Sequence, residues 1–176
     1  MDRVKDLIKL ANGDNLSPQM IESRLRFSPY IKDAWVVAGK ERTYASVIII
    51  INYNTVGRWA GQRRVGYSTF AELSQKPEVY DLVKQEIDRV NSTLSPGSRI
   101  RKYVNLHKEF DPDEGELTRT RKLRRIFLEE RYRDLIHAIY KDKTEVSIEA
   151  QMRYPDGRMG TKKTTLMINS VERDTL

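Results

Sequence analysis

The sequence predicts an α+β fold, a small and mostly antiparallel sheet flanked by helices and carrying a C-terminal β-hairpin extension. Three observations lead there. Two runs rich in Val and Ile, 34–38 (AWVVA) and 44–51 (YASVIIII), flank the polar stretch Gly39-Lys40-Glu41-Arg42-Thr43, as paired antiparallel strands would. Residues 77–94 put Val79, Leu82, Val83, Ile87 and Val90 on one stripe of a long helix. Residues 144–154 alternate Val146, Ile148, Ala150, Met152 and Tyr154, then turn at Pro155-Asp156-Gly157-Arg158 into a second run through Ile168.

The elements follow in order. A short strand-like stretch over 3–10 leads into a loop of Ala11-Asn12-Gly13-Asp14-Asn15. Ser17 can cap a helix and Pro18 suits its first position, with Ile21 and Leu25 four apart on one face. The strand over 44–51 is apolar enough to be buried on both faces. Short helices are expected over 54–65 and 67–74, ahead of the long one. After Ser95-Pro96-Gly97 a strand follows in which Ile100, Lys102, Val104 and Leu106 alternate with Arg101, Tyr103 and Asn105. Beyond the acidic loop 111–116, a single amphipathic helix is expected from Lys122 to about Tyr140. The division that results is 1–141 as one domain and 142–176 as the hairpin extension.

Composition narrows the function. There is no cysteine and only two histidines, which excludes a disulfide framework and a thiolate or His-rich metal site. A reducing cytoplasm suits such a chain. The longest apolar run is far shorter than the ~20 residues that cross a bilayer, so no transmembrane segment is expected. A net charge of +7 favours anionic partners such as nucleotides, coenzyme A, nucleic acid or lipid headgroups, without choosing among them.

Two stretches carry more. The first runs Asp2-Arg3-Val4-Lys5-Asp6-Leu7-Ile8-Lys9-Leu10, then Gly13, then Asn15-Leu16-Ser17-Pro18-Gln19-Met20-Ile21-Glu22. The second is Phe110-Asp111-Pro112-Asp113-Glu114-Gly115-Glu116-Leu117-Thr118-Arg119-Thr120-Arg121-Lys122-Leu123-Arg124-Arg125. The first resembles the hinge and following loop of adenylate-forming enzymes, and the second resembles their last signature motif in the version of long-chain fatty acid members. The two stand in the family's order.

That resemblance implies the mobile C-terminal lid of a long-chain fatty acid–CoA ligase. It assigns Lys122 as the catalytic lysine that meets the carboxylate and the α-phosphate while the acyl-adenylate forms. It further implies Arg3 as a nucleotide contact, Lys5 as the hinge, and Gly13 with Asp14 as the loop facing the channel for coenzyme A. The chemistry suits these residue types. Carboxylate attack on phosphorus brings two anions together, and a compact ammonium can stabilise the charge as pyrophosphate leaves. One departure stands out: many members have Gly immediately before the lysine, where this chain has Arg121.

By the same resemblance ATP and Mg belong mainly to a missing N-terminal adenylation domain, with fatty acid and CoA as the other substrates of the intact enzyme. No Gly-rich phosphate loop occurs in this chain. The fragment alone is expected to be inactive, cytoplasmic like its parent, with peripheral membrane contact of the parent left open and no metal of its own. Two alternatives stay open here: the lid of a related ligase acting on another acyl or aryl acid, and a small basic nucleic-acid-binding module suggested by the arginines at 119–125. The latter lacks a recognisable reading motif, so no nucleic acid is expected.

Overall fold

The computed structural model describes residues 7–153 and 156–172. Two short strands, β1 (Ile8–Lys9) and β2 (Asn15–Leu16), form a small antiparallel pair. Helix α1 (Pro18–Arg26) then starts as expected, with Ser17 Oγ accepting from the Met20 N–H at 3.3 Å and proline in the first turn.

The main sheet has the strand order β3 (Ile31–Val37), β4 (Ala45–Ile51), β5 (Ile100–Asn105), β8 (Asn169–Ser170). Strands β3 (Ile31–Val37) and β4 (Ala45–Ile51) pair antiparallel, and all seven residues of β4 are buried. Strand β5 (Ile100–Asn105) lies parallel to β4, reached through a helical crossover of α2 (Tyr53–Gln62), α3 (Phe70–Ser74) and α4 (Pro77–Asn91). The α4 stripe is buried along its length. Strand β8 (Asn169–Ser170) closes the other side of β5, antiparallel.

Because β4 is apolar at every position, the sheet can carry a core on each face. On one side Val47, Ile49 and Ile51 pack with Ala34, Val36, α1, α2 and α4. On the other, Ile48 and Ile50 pack with Trp35, Val37, Val104 and Leu106 under two further helices, α5 (Arg125–Arg131) and α6 (Arg133–Tyr140). The hairpin of β6 (Glu145–Arg153) and β7 (Met159–Met167) rests its base, through Leu166, Val146 and Ile148, on this second core.

Three details differ from the sequence expectation. The alternation predicted for β5 breaks at its start, where the register with β4 shifts between the pairs Ala45–Ile100 and Ser46–Lys102. This bulge turns Ile100 onto the same face as Tyr103, into the first core. The single helix expected from Lys122 is two helices, beginning at Arg125 and broken at Tyr132. Tyr132 is drawn out of line because its hydroxyl donates to the buried Glu116 carboxylate. Finally, the run through Ile168 does not end with the hairpin but continues into β8.

A buried polar knot joins the hairpin to the sheet. The Tyr80 hydroxyl donates to Met167 O at 2.7 Å and accepts from the Asn105 N–H at 3.1 Å, while Gln75 Oε1 accepts from the Met167 N–H at 2.9 Å. Its burial pushes the Tyr80 phenol well above its ordinary value.

His107, just past β5, is 8% exposed and its Nδ1 finds no partner among the described residues. Burial, helped by the charge of Lys108, lowers its pKa from 6.5 to about 4. The unfolded chain therefore takes up a proton at this residue near 6.5 while the native chain resists until about 4. Stability should fall as pH drops across that window, by up to about 3 kcal/mol from this group, and should not change through it at higher pH. Urea unfolding at about pH 7 and about pH 4.5 should show wild type losing more stability than His107→Leu. Equal losses would remove His107 as the cause.

Candidate functional site

The segment 117–123 folds into a tight hairpin of its own. Leu117 and Leu123 bridge antiparallel, the Thr118 N–H donates to Lys122 O at 2.9 Å, and the Lys122 N–H donates to Thr118 Oγ1 at 3.0 Å. A loop of three residues, Arg119 to Arg121, joins them, and the Arg121 N–H closes the turn on Thr118 O at 2.9 Å. Hairpins with three-residue loops need a left-handed residue at the third position, usually glycine. Arg121 occupies it here, at φ 63°. The departure noted in the sequence is thus a geometric fact: the position before Lys122 has the backbone that glycine adopts most easily.

Lys122 is exposed at the end of this hairpin and makes no ion pair among the described residues. Its backbone is nonetheless firmly held, because a buried carboxylate anchors each flank. On the N-terminal flank, Glu116 is fully buried and receives the Lys108 ammonium, the Tyr132 hydroxyl, the Asp111 N–H at 3.0 Å and Arg131 Nε at 3.4 Å. Its own carbonyl accepts from the Arg124 N–H at 3.1 Å. The same contact lifts the Tyr132 phenol far above its usual value, burial first and Glu116 second.

On the C-terminal flank, Glu22 of α1 is 2% exposed and grips Arg125 with both oxygens, at 2.8 and 2.5 Å. One of those oxygens also accepts the Val36 N–H of β3 at 2.8 Å. Burial alone would depress the Arg125 guanidinium, yet the hydrogen bonds and charge of Glu22, with Asp33 adding, raise it. The contact joins the two stretches singled out in the sequence, across 103 residues.

Beside Lys122 lies a cavity of about 430 Å³ lined by Glu22, Ser23, Arg26, Asp33, Arg121 and Lys122 among others. Asp33 pairs with Arg26 at 3.4 Å and accepts the Ala34 N–H at 2.9 Å. Burial raises its pKa against the opposing pull of these groups and of Arg121.

Gly13 and Asp14 lie elsewhere and do not line this cavity. Gly13 is exposed with φ 93°, and the loop is pinned by Asn12 Nδ2, which donates to Thr43 O and Gly97 O at 3.0 Å each. A side chain at Gly97 would displace the Asp14 carboxylate. Arg3 and Lys5 fall outside the described residues. Among those described, no three His, Cys, Asp or Glu residues are placed to hold a metal, and no helix is long and apolar enough to cross a membrane.

Sequence reasoning gave no role to Glu22 or Glu116, and took Arg125 only as one of the arginines at 119–125 that could bind an anion. The only signal for Glu22 was its place four residues after Pro18; for Glu116, an acid beside a glycine. A larger cavity, about 690 Å³, lies between the β3–β4 turn and α5–α6, where Tyr44 stacks on Tyr140 and Arg42 pairs with Glu129 at 3.0 Å. It takes in none of the predicted site residues.

Comparison with known proteins agrees with this geometry. Residues 5–144 match the family described as AMP-binding enzyme C-terminal domain. The long-chain-fatty-acid–CoA ligase FadD15 of Mycobacterium tuberculosis is 30% identical over 139 residues, 78% of this chain and 23% of that protein. Long chain acyl-CoA synthetase 8 of Arabidopsis thaliana is 26% identical over 142 residues, 80% of this chain and 20% of its own length. The chain thus spans about a fifth to a quarter of these relatives. Among solved structures, the adenylation domain of a carboxylate reductase from Mycobacterium chelonae has the same fold, with a TM-score of 0.62 at 24% identity, covering 80% of this chain and 20% of that one. The order of the two motifs, the lysine hairpin between its two carboxylate anchors and the match along most of the chain lead to one assignment: the chain belongs to the C-terminal domain family of AMP-binding enzymes.

Proposed function

We propose that this chain is the mobile lid of an ATP-dependent long-chain fatty acid–CoA ligase, and that Lys122 serves the adenylation half-reaction. The observation that carries the reading is an exposed, unpaired ammonium on a hairpin whose backbone is anchored at both flanks by buried carboxylates. Such a group can enter another domain's active site without losing its geometry.

In the first half-reaction a carboxylate oxygen of the fatty acid attacks the α-phosphorus of ATP, the bond to the β-phosphate oxygen breaks, and pyrophosphate leaves. Negative charge builds on the phosphoryl oxygens as two anions approach. Lys122 Nζ offsets it with a compact charge held in a site the lid keeps dry. The ATP itself and its magnesium are held by the adenylation domain.

For the second half-reaction the lid turns about Lys5, and the Gly13–Asp14 loop meets the channel through which the CoA thiol attacks the acyl-adenylate, releasing AMP. Support for two faces comes from the separation of the sites. Asn12, next to Gly13, binds Thr43 O and Gly97 O, whereas Lys122 lines a cavity against α1 that takes in neither Gly13 nor Asp14, and a lid that turns can present each in sequence. On its own the chain should be catalytically silent.

Two outcomes are expected. In the intact enzyme, Lys122→Ala should slow adenylation by about 100-fold or more while leaving thioester formation from supplied acyl-adenylate within a few-fold of wild type; loss of both halves alike would refute the role. Glu22→Ala leaves the half-buried Arg125 and the Val36 N–H without their acceptor and should destabilise the chain by about 1–2 kcal/mol in denaturant unfolding. Glu22→Met combined with Arg125→Leu should recover part of that stability but not the adenylation rate, because the hairpin loses its tie to α1. A double variant with full adenylation activity would show that the tie does not position Lys122.

A further inference from the structure

Arg121 is one of three described non-glycine residues with a left-handed backbone, beside Arg64 and Asp142, and of the three it alone lines the Lys122 cavity. It holds a left-handed conformation that glycine would take without cost, yet carries a long cationic side chain. Backbone strain of this kind clusters at binding and catalytic sites. The side chain lines the same cavity as Lys122, is exposed, and has no ion pair among the described residues. Its charge reaches Asp33 across that cavity.

The charge balance of the cavity is uneven. Its two carboxylates are committed: Glu22 to Arg125 and the Val36 N–H, Asp33 to Arg26 and the Ala34 N–H. That leaves Arg121 and Lys122, adjacent in sequence, as two cations in excess. One is a planar fork suited to two oxygens of a single phosphate, the other a point charge. A ligand with two linked anionic centres matches this pair better than one with a single centre.

We infer that Arg121 is a second anion-binding residue of the lysine hairpin and that its fork, beside the charge of Lys122, holds a diphosphate group, the β,γ-phosphates of the nucleotide before transfer and pyrophosphate after it. This rests on the proposed adenylation role for its place in the reaction, but not for the binding itself. The hairpin then does two jobs with adjacent residues: Lys122 meets the charge developing at the reacting phosphorus, and Arg121 holds the departing group.

The test uses the chain as it stands. Inorganic pyrophosphate and orthophosphate are titrated at matched ionic strength and followed by amide chemical shifts of residues 117–125. Pyrophosphate should bind more tightly than orthophosphate. Arg121→Gly, which suits the left-handed backbone, should melt no lower than wild type and weaken pyrophosphate binding by about ten-fold or more. Arg121→Lys, keeping a cation without the fork, should fall between them. Lys163→Gln on β7, far along the chain, should bind as wild type does.

Unchanged affinity in Arg121→Gly, equal affinity for the two anions, or an equal loss in Lys163→Gln would each overturn this role for Arg121. Since no adenylation domain takes part, failure of the Lys122 role would appear in the half-reactions of the intact enzyme and leave this binding ratio as it is.

Discussion

The buried carboxylate of Glu22 is the contact on which the arrangement of this domain turns. It belongs to α1, accepts a backbone N–H from β3, and holds Arg125 where the lysine hairpin passes into α5. Such a pair is weak evidence for net stability, since burying Glu22 and half-burying Arg125 costs about what their attraction returns. Its strength lies in what it forbids. Any shift of the helix along the sheet, or of the hairpin along the helix, would strand a charge in the interior. Glu116 acts likewise on the opposite flank, where four polar groups converge on one carboxylate with no solvent exposure. Between these two fixed points the Lys122 backbone has little freedom, while its side chain keeps all of its own.

Much of the framework could be read from local pattern. The cap at Ser17, the paired strands either side of residues 39–43, the doubly buried β4 and the α4 stripe each follow from periodicity or from one residue's preference, and the structure has them all. What pattern could not supply were features made by partners far away. The helix break at Tyr132 depends on a carboxylate 16 residues back, and the bulge in β5 depends on its register with β4. The parallel pairing of β4 and β5 was also hidden, because alternation in a strand does not tell which direction its neighbour runs.

The site shows the same division. Lys122 was singled out by its motif, and its exposure and position on a loop rather than a helix came from the structure. Arg121 looked like a blemish in that motif until its dihedral angle explained why glycine is at home there. Glu22 and Arg125 stood in separate motifs, and only the fold reveals them as a pair. Residues that act on a substrate leave a trace in sequence because their chemistry narrows the choice. Residues that aim them do not, since many pairings could do the aiming.

The last strand has a consequence of its own. The family match ends at residue 144, yet β8 lies beyond it, paired to Lys102 and Tyr103 of β5, with Ile168 and Val171 filling the two cores on either side. Without it, β5 would present a row of free amide and carbonyl groups next to exposed apolar surface, the kind of open edge that recruits another chain. The boundary drawn by ancestry and the boundary drawn by solubility are therefore different lines in this protein. A piece cut at the first would carry every residue of the lysine site and still be prone to self-association.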